Sequence, residues 1–331
     1  MIKTAVIGLG IGVEHLEGYL AHPDCEVVGI CDLDETKLQN IASKYSVSIV
    51  TTDANEILTN KEIDVVSICS YDNLHAEQVI RALENGKHVM VEKPICLYKD
   101  EARKIIEAQK KNKKRLTSNL ILRTSKRFIK VKKMIKEGLF GEIFYLEGDY
   151  IYGRGHKITD GWRGKLDFYS AIYGGGVHVV DLLIWFIEDK VVEVFSYGNR
   201  ICSKDTNFKY EDCVVSILKF KSGCLGKSVT TLCCIQPHFH SVKIYGTKST
   251  FVNDYKDGIW FRSTDPDGTE VIKDEYKSYM KGDIIPGFID SILYNKKQYI
   301  DEKDIFTTMS VCFAMNESLK SGEPVEVEYL I

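Results

Sequence analysis

Three short stretches of this chain carry residues able to do chemistry. In "VIGLGIGVEH" (6–15), Gly8, Gly10 and Gly12 sit where an apolar run gives way to a helical pattern. Glycines at such a turn let backbone amides come close to a dinucleotide pyrophosphate. "KHVMVEKP" (87–94) closes another apolar run on Glu92, Lys93 and Pro94. A partly buried lysine there has a lowered pKa, suited to polarising a carbonyl or sharing a hydroxyl proton. "YGGGVHVVD" (173–181) sets His178 and Asp181 three residues apart behind three glycines. Histidine is the side chain best suited to take and return a proton near neutrality. Each stretch also has an ordinary reading: a glycine turn binding something else, a surface lysine, a satisfied histidine in an apolar helix.

The glycine spacing departs from G-x-G-x-x-G, because the third glycine comes one residue early and Val13 stands at the strict position. A shorter G-x-G-x-G turn resolves this. Asp32 closes the second apolar run, placed to accept ribose hydroxyls and repel a 2′-phosphate, with Asp34 adding to the repulsion. That pairing predicts NAD rather than NADP.

The elements that must position these residues follow from periodicity. Apolar, β-branched runs at 4–9, 26–32, 64–70 and 88–93 alternate with helical patterns at 12–21, 34–45, 73–86 and 99–112. Near-continuous apolar strands between helices predict a doubly wound parallel α/β domain over 1–120. A helix over 125–137 then leads into long alternating strands at 142–153, 191–201, 213–220, 225–234 and 241–247, with a final helix over 303–320. Residues 121–331 therefore read as an α+β domain with an open, mainly antiparallel sheet.

Composition narrows the class. The 331 residues carry a net charge of −3, which favours neither nucleic acid nor membrane partners. No apolar run approaches the ~20 residues that cross a bilayer. A strand pattern starts at once from the N-terminus, so no signal peptide is expected. Ten scattered cysteines form no regular framework and predict a reducing, cytoplasmic setting. The stretch from Lys110 to Lys136 is rich in Lys and Arg without any acid. It reads mostly as a solvated helix face; it lacks the aromatic interleaving of a nucleic-acid surface. "CCIQPHFH" (233–240) places His238 and His240 on one strand face, but Cys233 and Cys234 point to opposite faces, so no metal site is expected.

Together the pieces resemble the glucose–fructose oxidoreductase / inositol dehydrogenase / MocA (Gfo/Idh/MocA) family. The resemblance spans nearly the whole chain. It rests on "GLGIG" (8–12), Asp32, "SYDNLH" (70–75), "ALENGKHVMVEKP" (82–94), "GLFGEI" (138–143), "GGGVHVVDLLIWF" (174–186) and "GTKST" (246–250). It implies a Rossmann domain followed by an open-faced sheet that floors the substrate site and joins a homodimer or homotetramer. It also implies NAD(P)-dependent hydride transfer at a secondary hydroxyl or ketone of a sugar, polyol or nucleotide sugar. Synthesis of surface-polysaccharide or secondary-metabolite sugars is one setting; the alternatives are catabolic polyol or glycoside oxidation and a non-catalytic NAD-binding regulator.

By the same resemblance the turn from Gly8 to Gly12, Ile11 included, holds the pyrophosphate and Asp32 the ribose. Ser70, Asn73 and His75 lie along the cofactor, with Glu92 and Lys93 at the nicotinamide. His178 is the proton carrier, Lys93 stabilises developing charge on the reacting oxygen, and Asp181 contacts substrate. Arg123 falls where relatives often carry an arginine near the active site, and a basic rim there would suit an anionic substrate. In the glycine-rich loop 153–176, Trp162, Arg163, Tyr169 and Tyr173 are candidates to stack on or hydrogen-bond a sugar. One departure stands out: many relatives keep an aspartate four residues before the histidine, and here that position is Gly174.

Overall fold

Short runs of Val, Ile and Cys, buried on both faces, build the first sheet. The computed structural model describes residues 1–331. Elements alternate as β1 (Ile2–Ile7), α1 (Gly12–Leu20), β2 (Cys25–Cys31), α2 (Glu35–Tyr45), β3 (Ile49–Thr51), α3 (Ala54–Thr59) and β4 (Val65–Ile68). They continue as α4 (His75–Glu84), β5 (His88–Val91), α5 (Lys99–Asn112) and β6 (Leu116–Ser118). The six strands pair in the order β3-β2-β1-β4-β5-β6, all parallel. Strand order reverses between β1 and β4, so the ends of those strands flank the crevice where doubly wound sheets take ligands.

The second sheet has nine strands. After α6 (Lys126–Lys136) come β7 (Ile143–Ile151), α7 (His156–Thr159) and α8 (Val177–Ile187), then β8 (Val191–Asn199), β9 (Cys213–Phe220) and β10 (Leu225–Thr231). β11 (Phe239–Gly246), β12 (Thr250–Asn253), β13 (Gly258–Phe261), β14 (Thr269–Ile272) and β15 (Val325–Glu326) complete it, in the order β14-β13-β12-β11-β7-β10-β9-β8-β15. Only β7 and β10 run parallel. Alternation is plain in β9, where Val214, Leu218 and Phe220 are buried while Val215 and Ile217 face outward. Helix α8 lies on the buried face. It fits because β7 carries Gly148, where a Cβ would stand 3.1 Å from Val179 and 3.2 Å from Leu183.

The chain splits into two units, Met1–Ile121 with Met280–Phe306, and Leu122–Tyr279 with Thr307–Tyr329. The expected second domain over 121–331 is therefore interrupted. Helix α9 (Ile285–Leu293) returns to the first unit and packs on α1, burying Ile285, Phe288 and Ile289. Gly18 permits the approach, since a Cβ there would meet the Gly282 carbonyl at 3.0 Å. The last helix, α10 (Glu302–Ser321), ends before Gly322 at φ +73°.

Candidate functional site

In the first unit, the turn between β1 and α1 is dictated by what surrounds it. Gly8 has φ +89°, and a Cβ there would lie 2.3 Å from the Cys69 carbonyl oxygen, so no other residue fits. Gly12 is pressed on Val6, with a hypothetical Cβ 2.7 Å from Cγ1. Helix and strand thus touch at Gly12 rather than at Val13, which accounts for the early third glycine. Gly10 has nothing within 4 Å on its Cβ side, leaving its backbone open to a ligand. Ile11 offers α1 no side-chain cap; the Glu14 amide bonds the Ile11 carbonyl at 3.0 Å, and the Gly12 and Val13 amides before it are the ones placed to meet an anion.

Asp32 follows β2 and is tightly held. Its Oδ2 accepts from the Leu9 amide at 2.6 Å and its Oδ1 from the Asp34 amide at 2.9 Å. Lys37 Nζ donates to both oxygens at 3.0 Å. Burial pushes this carboxyl up, but the two amides and Lys37 outweigh it and hold it below its ordinary value. Lys37 was not anticipated; five residues beyond Asp32 on a helix face, it had no local signature.

At the end of β5, Glu92 is buried, with Oε1 accepting from Asn119 Nδ2 at 2.7 Å and lying 3.3 Å from His15 Nε2. Burial raises this carboxyl, but Lys281, His15 and Lys93 together pull it well below the usual range. His15 also meets Ser67 Oγ at 3.1 Å, and Ser67 meets Tyr19 Oη at 2.8 Å. This buried network ties α1 to the residue before Lys93, and sequence reasoning missed it. The Lys93–Pro94 peptide is cis.

Ser70 donates its hydroxyl to Gln78 at 2.7 Å, and Asn73 is exposed. His75 corrects the expectation of a cofactor contact. It is fully buried, with Nδ1 2.6 Å from the Pro94 carbonyl oxygen and Nε2 3.1 Å from that of Ser70. Both nitrogens face main-chain carbonyls, so the ring braces two loops instead of lining a ligand.

In the second unit, the three glycines before α8 form a wide turn over Ile172–Gly176 because three neighbours press against its backbone. A Cβ at Gly174 would lie 2.2 Å from Tyr169 Oη, at Gly175 2.4 Å from Tyr150 Cε1, and at Gly176 2.5 Å from Thr230 Oγ1. The space a side chain at 174 would need is filled by the Tyr169 phenol. His178 follows, buried, its ring stacked with Tyr150 at 6.3 Å and edge-on to His240 at 6.0 Å.

Asp181 and Arg123 are a second correction. Both were expected at the substrate, yet they form a buried, bidentate pair. Arg123 Nε donates to Oδ2 at 2.9 Å and Nη2 to Oδ1 at 2.6 Å, with Thr308 Oγ1 adding a donor at 3.1 Å. A buried carboxylate needs such compensation, and the guanidinium fork supplies it. Tyr173 is likewise core, with its ring 6.0 Å from Phe168 and 5.7 Å from Phe313. Tyr169 is buried against Phe208 and Gly174. Trp162 and Arg163 stay partly exposed, with the guanidinium 4.2 Å from the indole. His240 Nδ1 meets Tyr276 Oη at 2.5 Å and His238 Nδ1 donates to the Ile151 carbonyl at 2.9 Å. No group of three or more His, Cys, Asp or Glu side chains converges on a point that could hold a metal ion.

Comparison with known proteins agrees with this two-part fold. Residues 2–120 match a family model described as oxidoreductase family, NAD-binding Rossmann fold, and residues 128–252 match the GFO/IDH/MocA C-terminal domain. A myo-inositol 2-dehydrogenase of Thermotoga maritima is 26% identical, over 100% of both chains. A D-glucoside 3-dehydrogenase of Escherichia coli is 32% identical over 56% of this chain and 54% of its own length. The WlbA dehydrogenase of Bordetella pertussis, solved with NADH and UDP-GlcNAcA, shares the fold at a TM-score of 0.84, 22% identity and 99% coverage of both chains.

Proposed function

Because the chain belongs to the Gfo/Idh/MocA oxidoreductase family, we propose that it catalyses NAD-dependent hydride transfer at a secondary hydroxyl or ketone of a sugar, polyol or nucleotide sugar. The observation that carries this reading is the turn at Gly8–Gly12. It has an open backbone at Gly10, uncapped helix amides behind it, and the Asp32 carboxylate at the end of the next strand. These residues fit a dinucleotide: amides for the pyrophosphate, a carboxylate for the adenosine ribose, and two acidic residues against a 2′-phosphate. When bound, the nicotinamide supplies the hydride acceptor or donor.

The chain supplies the rest. His178 takes the proton from the substrate hydroxyl, and Lys93 stabilises negative charge on the same oxygen; in ketone reduction both roles run in reverse. Residues 1–121 with 280–306 serve as the NAD-binding domain, and the second unit as the substrate domain. All ten cysteines are free thiols and no helix is long and apolar enough to cross a membrane. Both facts support a place in the reducing cytoplasm. The outward face of the second sheet presents Tyr197, Val215, Ile217 and Leu225, which supports a homodimer or homotetramer joined there.

The test is turnover of a panel of inositols, glycosides, sugar acids and nucleotide sugars, read by NADH absorbance, with His178→Ala and Lys93→Ala beside the parent. Each variant is expected to lose about 10²–10⁴-fold in kcat while still quenching or enhancing NADH fluorescence. Parental turnover by both variants would remove these two residues from the mechanism.

A further inference from the structure

The second unit holds a cavity of about 520 Å³ walled by Gly153, Arg154, Pro237, His238, Lys277 and Tyr279. Its size suits a small-molecule group. Two of the six lining residues are permanent cations, one is an imidazole, and none is acidic.

The wall is built, not incidental. Gly153 has φ +55°, and a Cβ there would fall 1.7 Å from the Gln236 carbonyl oxygen. The chain leaving β7 is therefore pressed onto the segment that leads to Pro237, which brings Arg154 and His238 to one place. Arg154 is steadied by Tyr152, whose ring centre lies 4.8 Å from the guanidinium carbon. The same ring meets His238 edge-on at 5.3 Å, and the His238 bond to Ile151 fixes the imidazole. Arg154 Nε is buried without a hydrogen-bond partner. Burial, with Tyr169 and Tyr152, raises the nearby Tyr150 hydroxyl, and the positive charges of Arg163 and Arg154 oppose that rise.

A guanidinium with a buried, unused N–H is costly unless an anion meets it. Its fork matches carboxylate or phosphate oxygens. The cavity is also linked to His178 by stacked rings: Tyr152 lies 5.8 Å from Tyr150, which stacks on His178. We propose that this cavity receives an oxyanion carried by the substrate, a sugar carboxylate or phosphate, with Arg154 as its forked donor and Lys277 as a second charge. This deepens, and rests on, the reading of the chain as a sugar or polyol oxidoreductase. It moves the basic group that greets an anionic substrate from Arg123, whose charge Asp181 already compensates, to Arg154.

The experiment is calorimetric titration of the full chain, saturated with NAD⁺, using D-glucuronate, D-glucose 6-phosphate and neutral D-glucose. At least one anion is expected to bind about tenfold or more tightly than glucose, and to weaken steeply as salt is raised, because screening shortens to about 3 Å near 1 M. The tighter anion tells carboxylate from phosphate. Arg154→Gln should erase about tenfold of that advantage, Arg154→Lys should keep part of it, and Lys277→Gln should show a smaller loss. Thermal melts and NADH fluorescence report whether each variant folds, and the exposed Lys277→Gln carries the test should Arg154→Gln not. Equal binding of all three ligands, or an equal loss for glucose and the anions in Arg154→Gln, overturns the proposal. If the anions bind as expected but nothing in the sugar panel is oxidised, the oxidoreductase reading fails while the anion cavity stands.

Discussion

Asp181 shows how a residue's surroundings reassign it. Three positions beyond His178 it shares a side of α8 with the imidazole, and from sequence alone it reads as a substrate or orienting group. Its carboxylate is instead enclosed by Arg123 and Thr308. Arg123→Met should therefore destabilise the fold by about 3–5 kcal/mol in urea unfolding, because it leaves a buried carboxylate uncompensated. The double change Arg123→Met with Asp181→Leu should recover most of that loss. If the single and double variants lose stability equally, the pair is not the source. No local signal could have joined these two, which lie 58 positions apart. The same distance problem hid the meeting of Arg154 with His238 at one cavity. By contrast, the place of Lys93 just beyond a strand and of Gly8, Gly10 and Gly12 at the first strand-to-helix turn was legible, because each follows from a short apolar run and the residues that end it.

At the scale of elements, the glycine turn before α8 is set by what packs on it. Gly174→Ala puts a methyl where Tyr169 Oη now sits, and overpacking of this kind costs about 1–3 kcal/mol. Gly174→Ala should lower Tm, and should lower it less when introduced into a Tyr169→Ala background than into the parent; additive losses would argue against the contact. The alternating strands and helices of the first sheet followed directly from apolar runs and capping glycines. β3 and β6 did not, because three residues show no period. β12–β14 are little longer, and their pairing depends on a neighbour already in place. α9 escaped notice because its apolar face answers to α1, far away in sequence.

For the molecule as a whole, acid is a foreseeable weakness. His88, at the start of β5, accepts from the Arg115 amide through Nδ1. Burial, with Lys114 and Arg115 close by, pushes its imidazole down from 6.5 to about 4. A group whose folded pKa is depressed binds its proton first in the unfolded chain, so stability falls as pH drops from about 6.5 towards 4. Asp32 and Glu92, also held low, extend the loss into more acid solution. His88→Asn should flatten the slope of Tm against pH between 6.5 and 4. An unchanged slope would show that His88 titrates normally in the fold.

The division of the chain sets an order on synthesis. The first unit draws on residues 280–306, and the second lies almost wholly between its two pieces. On the ribosome, roughly 160 residues must emerge after Ile121 before α9 can cover α1, a wait of about 8–30 s at ~5–20 residues per second. For that interval the nascent first unit shows the apolar side of α1 around Gly18 with nothing laid over it. A message cut short before residue 280 would leave it so permanently.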